Sequence, residues 1–224
     1  MGASPAAGAS AWEMGVVVPR ATPIRLSVTD LESYRYWLAD EDSTLDDLLV
    51  RLRHEEPPTP AMKAGRAFAK LFEGAGEEEI HNREVDGWHF DFTQIDREIA
   101  VPPVRELKGS VTFATPSGPV ELTGKVDSLL GTRIHDQKLT ERWEAEKYID
   151  SLQWRAYLVM FRADTFTYDV FQGRYEGRCV TITDYHPMTF YTYPGIARDV
   201  ERAVAELAAI VREHMQKNAC ESGQ

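Results

Sequence analysis

The spacing of hydrophobic residues changes along the chain, and this change constrains the fold more than any other feature. Apolar side chains recur every three or four residues over Thr44–His54 and Ala61–Glu73, which predicts two helices. Between residues 85 and 139 they alternate with polar residues, as in half-buried strands. Helical spacing returns over Glu144–Phe161 and after Pro194. This order of elements predicts a mixed α/β fold.

Seven segments combine this alternation with flanking turn residues and are predicted to be strands. The four central ones, separated by short Gly- and Pro-containing turns, are expected to form an antiparallel meander. The segments are Ile24–Val28, Val85–Phe92, Arg105–Thr115, Val120–Leu130, Arg133–Leu139, Phe166–Tyr175 and Cys179–Asp184.

Length and composition favour one domain without a membrane span. The 224 residues are 43% hydrophobic, which is enough for one buried core. We expect residues 1–22 to be a flexible tail, 23–216 to form the domain and 217–224 to be a second tail. No apolar run reaches the roughly 20 residues that cross a bilayer. Two cysteines cannot build a disulfide framework, so the expected compartment is the cytoplasm.

The net charge of −11 argues, taken alone, against a nucleic-acid-binding protein, because phosphate attraction needs a basic surface. Two features reduce the force of this objection. Carboxylates that bind a metal ion add negative charge, and a local basic groove can lie on an acidic protein. The total charge therefore leaves the chemistry of the site open.

Two aspartates and a lysine form the most informative pattern in the sequence. Asp127 and Asp136 lie on consecutive predicted strands, so their carboxylates can share one cation. Lys138 follows Asp136 by two residues and therefore projects from the same face of the strand. Gln137 faces away, but its backbone carbonyl can be a third oxygen ligand. Oxygen ligands of this kind suit Mg²⁺, for which Mn²⁺ can substitute.

A helix after these strands adds two polar residues. Gln153 and Tyr157 are one turn apart on the helix predicted over Glu144–Phe161, so both project from one face. We expect them to hold a DNA phosphate or the catalytic lysine. The alternative is that they are ordinary residues at the edge of the core.

Together, these motifs resemble the PD-(D/E)xK nuclease superfamily, in particular its RecB-like branch and the lambda-type phage exonucleases. The resemblance rests on Asp127, on Asp136-Gln137-Lys138 and on Gln153-x-x-x-Tyr157. It implies a restriction-endonuclease-like core, with a central mixed β-sheet flanked by helices. It also implies that Asp127 and Asp136 bind the metal and that Lys138 is catalytic. Thr140 resembles a hydroxyl that often completes the motif.

One position departs from the family pattern. RecB-like members usually carry a histidine, or an acid in lambda-type enzymes, four residues after a glycine in the preceding helix. Here Gly65 is followed at that spacing by Ala69. Glu73, one helical turn further, can replace that ligand, but a solvated glutamate at a helix end is the alternative interpretation.

The resemblance implies a metal-dependent DNA exonuclease that acts on duplex ends, in phage-type recombination or DNA repair. We expect DNA as substrate, with a single-strand annealing protein or a ring-shaped homo-oligomer as partner. The alternatives are a site-specific endonuclease and a catalytically weak nuclease fold that only binds DNA or protein. Candidates for the DNA-facing surface, besides Thr140, are Arg142, Lys147, Arg155, Arg174 and Arg178.

Overall fold

The computed structural model describes residues 23–74, 83–97, 99 and 101–221, so the tail predicted over 1–22 lies outside the described residues. The described chain forms eight strands and six helices in mixed order. The strands are β1 (Ile24–Ser27), β2 (Arg83–Val85), β3 (Trp88–Asp91), β4 (Val104–Thr115), β5 (Gly118–Leu130), β6 (Arg133–Thr140), β7 (Thr165–Glu176) and β8 (Cys179–Tyr191). The helices are α1 (Val28–Ala39), α2 (Leu45–Leu52), α3 (Pro60–Gly74), α4 (Glu146–Ile149), α5 (Leu152–Phe161) and α6 (Ile196–Glu221).

One mixed sheet contains all eight strands, and this confirms the predicted sheet flanked by helices. Its order is β1-β5-β6-β7-β8-β3-β2, and β4 pairs with the other edge of β5. The β4–β5, β5–β6 and β7–β8 pairs are antiparallel. The β1–β5, β6–β7 and β3–β8 pairs are parallel. The parallel pair β6–β7 requires a crossover, and α4 and α5 provide it.

The two faces of the sheet are buried under different helices. Leu31 of α1, Leu158 of α5 and Leu207 of α6 belong to the larger core cluster on one face. Phe68 of α3 packs with Phe171 of β7 in a smaller cluster on the other face. Because successive strand residues point to opposite faces, the central strands contribute side chains to both clusters.

Local capping fixes where the first two helices begin. Ser27 caps α1 and Thr44 caps α2, each in a reciprocal capping box with the aspartate three residues later. Such boxes satisfy backbone N–H groups that have no partner within the helix. In both cases a hydroxyl residue immediately precedes an apolar helical repeat, as is typical of N-caps.

The single strand predicted over Val85–Phe92 is wrong. A turn at Asp86 and Gly87, both with positive φ, divides this segment into the hairpin of β2 and β3. β3 then pairs in parallel with β8 and takes no part in the meander, which β4, β5 and β6 form alone. An Asp-Gly pair is a strong hairpin signal that favours this turn.

The continuous helix predicted over Glu144–Phe161 is also wrong. The chain forms a short α4 and then α5, which begins after Ser151. The Ser151 hydroxyl accepts a hydrogen bond from the Gln153 N–H at 3.1 Å. Glu32 of α1 accepts from the same N–H at 2.8 Å and from the Ser151 hydroxyl at 2.8 Å. A tertiary carboxylate thus stabilises a new helix start that the apolar spacing does not reveal.

The last two elements are longer than predicted. β8 continues past Asp184 to Tyr191, because β7 pairs with it along its whole length. α6 ends at Glu221, so it extends into the range 217–224 that the sequence analysis treats as a tail. None of the described helices has the length and apolar character needed to cross a membrane.

Two glycines give opposite predictions for substitution by alanine. A methyl group at Gly124 would lie 2.5 Å from Cε1 of Tyr157 and 3.0 Å from Cγ2 of Val28, both buried. Gly124→Ala should destabilise the fold by about 1–3 kcal/mol through overpacking. Gly65, inside α3, has open space at that position, so Gly65→Ala should stabilise by about 0.5–1 kcal/mol. Thermal unfolding of the two variants measures both effects, and equal shifts would contradict the packing described for Tyr157.

Candidate active site

The catalytic candidates lie where β5 and β6 separate. These strands pair only beside their connecting turn, over Ser128–Leu130 and Arg133–His135. β4 pairs along one edge of β5, so β1 and β6 share its other edge, with β1 beside its N-terminal half. Residues 124–127 therefore border a fork between β1 and β6. Asp127 and Asp136 are the first residues beyond the paired positions, one on each side of the fork.

The two aspartates meet at the closed end of this fork. Oδ2 of Asp127 accepts a hydrogen bond from the backbone N–H of Gln137 at 3.1 Å, which holds the two strands together after their ladder ends. Asp136 is buried, with 2% of its surface exposed. Its Oδ1 accepts a hydrogen bond from Nε2 of Gln153 at 3.0 Å. The structure therefore brings together the carboxylates that the sequence analysis selected.

Lys138 lies beside the pair as predicted. Its Nζ is 2.5 Å from Oδ2 of Asp136 and 5.8 Å from the centre of the Tyr168 ring. The lysine side chain keeps 34% of its surface exposed, whereas that of Asp136 keeps 3%. The cation thus links a buried carboxylate to the solvent-accessible side of the site.

The helix α5 bridges the fork with both polar residues of the QxxxY motif. Gln153 binds Asp136 on the β6 side, and the Tyr157 hydroxyl donates to the Lys125 carbonyl on the β5 side at 2.8 Å. Burial raises the pKa of Tyr157 to about 12, so its hydroxyl remains a donor. In this arrangement the two residues hold the strands, whereas the sequence analysis expected them to hold a phosphate or the lysine.

Burial and mutual repulsion disfavour the charged forms of both carboxyl groups. Burial, followed by the charge of Asp136, raises the pKa of Asp127 to about 7, although Lys138 opposes this shift. Burial likewise raises the pKa of Asp136. Burial alone would lower the pKa of Lys138, but the two carboxylates raise it. Without a further cation, the site holds more acidic groups than its single lysine can neutralise.

The donor set fits a hard divalent cation. Oδ2 of Asp136 is buried, and its polar contact among the described residues is Nζ of Lys138 at 2.5 Å. Carboxylate oxygens in this state are suitable ligands for Mg²⁺ or Mn²⁺. Among the described residues, no three His, Cys, Asp or Glu side chains form a group that could hold an ion. Glu73 is exposed at the end of α3, where its backbone carbonyl accepts from Arg105, and it stands apart from the aspartates.

Several polar residues that support the site have no signal in the sequence motifs. The hydroxyl of Tyr168 lies 2.8 Å from that of Ser151 and donates to Oε1 of Gln153 at 3.3 Å. Glu32 binds Ser151 and the start of α5, and pairs with Arg35 at 3.1 Å. Glu32 is 121 residues from Gln153 in the chain, so no local spacing could connect them.

A second acidic residue that the sequence analysis missed lies across the sheet from Asp127. Glu106 faces it in the β4–β5 pair, between Arg105↔Ser128 and Leu107↔Val126. Glu106 adopts a left-handed backbone with φ 56° and forms an ion pair with Lys125. Its charge adds to the repulsion that raises the pKa of Asp127. The hydrogen bond with Glu106, with a smaller contribution from the charge of Asp127, raises the pKa of Lys125.

Three of the predicted DNA-contacting residues follow Lys138 in the chain, namely Thr140 at the end of β6, Arg142 in the segment after it and Lys147 in α4. Lys147 and Lys138 line the same cavity of about 200 Å³. The Thr140 hydroxyl donates to the Arg142 carbonyl at 2.8 Å, which shapes the turn after β6. Arg142 is exposed and pairs with Glu144 at 3.3 Å. Thr140 and Lys147 thus share the cavity of Lys138, whose lining does not include Arg142.

Arg155 occupies a different position. Its guanidinium donates to the backbone carbonyls of Ile149, Asp150 and Ser151 and lies 4.5 Å from the Trp154 ring. These contacts stabilise the break between α4 and α5. The structure therefore gives Arg155 a structural role, and it does not bring this residue to Lys138.

Comparison with solved structures finds several similar folds at low sequence identity. No protein-family model and no curated protein matches the sequence. The protein SSO0001 is 12% identical with a TM-score of 0.49, over 85% of this chain and 77% of that one. LHK-Exo in complex with dAMP is 14% identical with a TM-score of 0.49, over 88% of this chain and 93% of that one. A phage-related exonuclease from Haemophilus somnus 129PT is 11% identical with a TM-score of 0.43, over 88% of this chain and 96% of that one. Similarity at this level leaves the chemistry to be argued from the side chains of the fork.

The raised pKa of Asp127 predicts how Asp127→Asn changes stability. Because this pKa rises from 3.8 to about 7, the metal-free folded state binds more protons than the unfolded state between these values. Stability therefore falls as pH rises through about 4 to 7. The asparagine variant avoids this loss, so at pH 8 it should exceed the wild type by on the order of 1–3 kcal/mol. Urea unfolding in chelator at low and high pH measures the difference.

Two controls accompany this prediction. Asp42→Asn, in an exposed turn, should shift stability little at either pH. Mg²⁺ should stabilise the wild type and leave Asp127→Asn unchanged. A variant less stable than the wild type at pH 8 in chelator would contradict the charge crowding described here.

Because α5 bridges the two strands, removing one hydroxyl from it should lower the free energy of unfolding. Tyr157→Phe keeps the buried ring but leaves the Lys125 carbonyl without its donor, which should cost about 1–2 kcal/mol. Tyr191→Phe is the matched control, because its side chain is 67% exposed. Thermal unfolding compares the two, and equal melting temperatures would show that the hydroxyl does not hold β5.

Proposed function

We propose that this protein is a Mg²⁺-dependent DNA nuclease of the PD-(D/E)xK superfamily, in its RecB-like, QxxxY-containing branch. The observation that carries the proposal is the juxtaposition of Asp127, Asp136 and Lys138 at the fork, with Gln153 bound to Asp136. Two carboxyl groups whose negative charges repel each other in a partly buried site favour binding of a cation, which neutralises both charges. Lys138 next to them offers a positive charge to an incoming phosphate.

Each residue of the site has a distinct part in phosphodiester hydrolysis. Asp127, Asp136 and the backbone carbonyl of Gln137 would hold the metal, which lowers the pKa of a bound water and neutralises phosphate charge. Lys138, anchored at 2.5 Å by Asp136, would orient the attacking water and stabilise negative charge that develops on the phosphorus oxygens. Gln153 keeps Asp136 in position. Glu73 would join as a ligand only if the end of α3 moves.

The finer assignment is an exonuclease that acts on duplex DNA ends. It rests on the resemblance of the motifs to lambda-type enzymes, which also suggests a role in recombination or repair. A single-strand annealing protein or a ring-shaped homo-oligomer are the proposed partners. The competing functions are a site-specific endonuclease and a catalytically weak nuclease fold that only binds DNA or protein, since the same fork could serve each of them.

Digestion of linear and closed circular duplex DNA separates these functions. With Mg²⁺, the wild type should degrade linear DNA and spare the circle, because an exonuclease needs an end. Cutting of both forms would favour the endonuclease. Binding of Mg²⁺ and DNA without digestion, also with Mn²⁺, would favour the binding module.

Lys138→Ala tests the site itself. It should lower the rate of digestion by about a hundredfold or more, because it removes a preorganised charge from the transition state. It should also destabilise the metal-free protein, because Asp136 would remain buried without its counterion. Rates are therefore compared at saturating Mg²⁺, where circular dichroism confirms folding.

The matched control is Arg53→Ala, an exposed cation after α2. This variant should digest DNA at the wild-type rate. A Lys138→Ala variant that is folded and equally fast would remove the fork from the mechanism.

A further inference from the structure

A row of cations on α3 stands out against the acidic character of the chain. Lys63, Arg66 and Lys70 are exposed and spaced by three and four residues, so they share one face of the helix. Arg178, in the turn between β7 and β8, lines the same cleft of about 580 Å³. We call these four residues the α3 basic cluster.

Carboxylates neutralise little of the positive charge of the α3 basic cluster. Lys70 pairs with Asp86 at 2.7 Å. Within the described part of the chain, no carboxylate lies within ion-pair distance of Lys63, Arg66 or Arg178. Four other exposed arginines do have such partners, in the pairs Arg53–Glu55, Arg142–Glu144, Arg174–Glu176 and Arg202–Asp199. In a protein with 36 acidic and 25 basic residues, this concentration of unpaired cations favours an anionic ligand.

The dimensions and lining of the cleft fit the backbone of a duplex. From Lys63 to Lys70 the helix rises by about 10 Å, at 1.5 Å per residue. This equals the rise of about three base pairs at 3.4 Å each. Trp88 borders the cleft but is only 9% exposed, so it offers little ring surface to an unpaired base. Proteins that bind single strands use exposed aromatic side chains for stacking, which this cleft lacks among its described residues.

The cluster also has a defined relation to the fork. α3 ends beside β4, where the Glu73 carbonyl accepts from Arg105, and Glu73 contributes to the raised pKa of Lys125. Lys70 is about one turn before this end, and Lys63 lies about 15 Å before it. The end of α3 therefore lies near β4 and β5, and the cations are spaced along the helix before this end.

We propose that the α3 basic cluster binds the sugar-phosphate backbone of duplex DNA that extends beyond the cleavage site. This inference rests on the proposed nuclease function and deepens it, because it assigns a second contact with the same substrate. Binding at the cluster is independent of base sequence, since its cations reach phosphates and no base edges. It holds the duplex while the fork acts on a phosphodiester bond.

The test uses the full chain with Lys63→Gln, Arg66→Gln and Arg178→Gln combined, leaving the Lys70–Asp86 pair intact. Binding of a fluorescein-labelled duplex is measured over a range of salt, with Ca²⁺ in place of Mg²⁺ to prevent cleavage. Each lost phosphate contact lowers the magnitude of the salt slope by about 0.9, so the variant should lose about 2 to 3. The control is Arg51→Gln, Arg53→Gln and Arg202→Gln, which removes the same charge elsewhere and should keep the wild-type slope.

A second measurement separates this inference from the proposed function. Hydrolysis of a thymidine monophosphate p-nitrophenyl ester, too small to reach α3 from the fork, should be equal in wild type and variant. If the wild type hydrolyses the ester and the variant keeps the wild-type salt slope, the cluster proposal is wrong and the nuclease proposal stands. The same salt titration is made with single-stranded DNA of the same length. If the triple variant loses as much salt slope with the single strand as with the duplex, the assignment to duplex DNA is wrong. A wild type that neither hydrolyses the ester nor binds or digests DNA would overturn both proposals.

Discussion

The separation of β5 from β6 is the constraint on which the rest of the site depends. If the two strands paired along their whole length, the space that receives Asp127 and Asp136 would be filled by ladder hydrogen bonds. Their pairing stops at Ser128 and His135, and the Gln137 N–H then binds the Asp127 carboxylate instead of a backbone carbonyl. The acidic groups thus occupy part of the sheet, which explains why Asp136 is buried and Asp127 half-buried although both are polar.

A fork of this kind needs external support, and α5 provides it. Gln153 contacts one side of the fork and Tyr157 the other, so one helical turn fixes the distance between the strands. α1 in turn fixes α5 through Glu32, which binds the first turn of that helix. The helix contacts therefore fix the separation of the strands, and this separation fixes the positions of the two carboxylates. The site is therefore a property of the layer packing rather than of one loop.

The acidic total charge and the proposed handling of DNA are compatible, because charge is distributed unevenly. Several exposed arginines lie next to a carboxylate, whereas Lys63, Arg66 and Arg178 line one cleft without such a partner among the described residues. The carboxylates of the fork add to the net negative charge without facing the surface widely. Total charge is thus a weak guide here, since binding responds to the local field at distances of about a Debye length, near 10 Å.

The sequence by itself determined the mixed α/β class, most strand and helix positions, and the selection of Asp127, Asp136 and Lys138. It could do so because strand periodicity and the two-residue spacing are local properties. Tertiary structure alone decided the break before α5, the pairing of β3 with β8, and the role of Gln153 and Tyr157 as a bridge. Each of these depends on a partner far away in the chain, such as Glu32. Contacts of that kind produce no periodic pattern of residues from which they could be predicted.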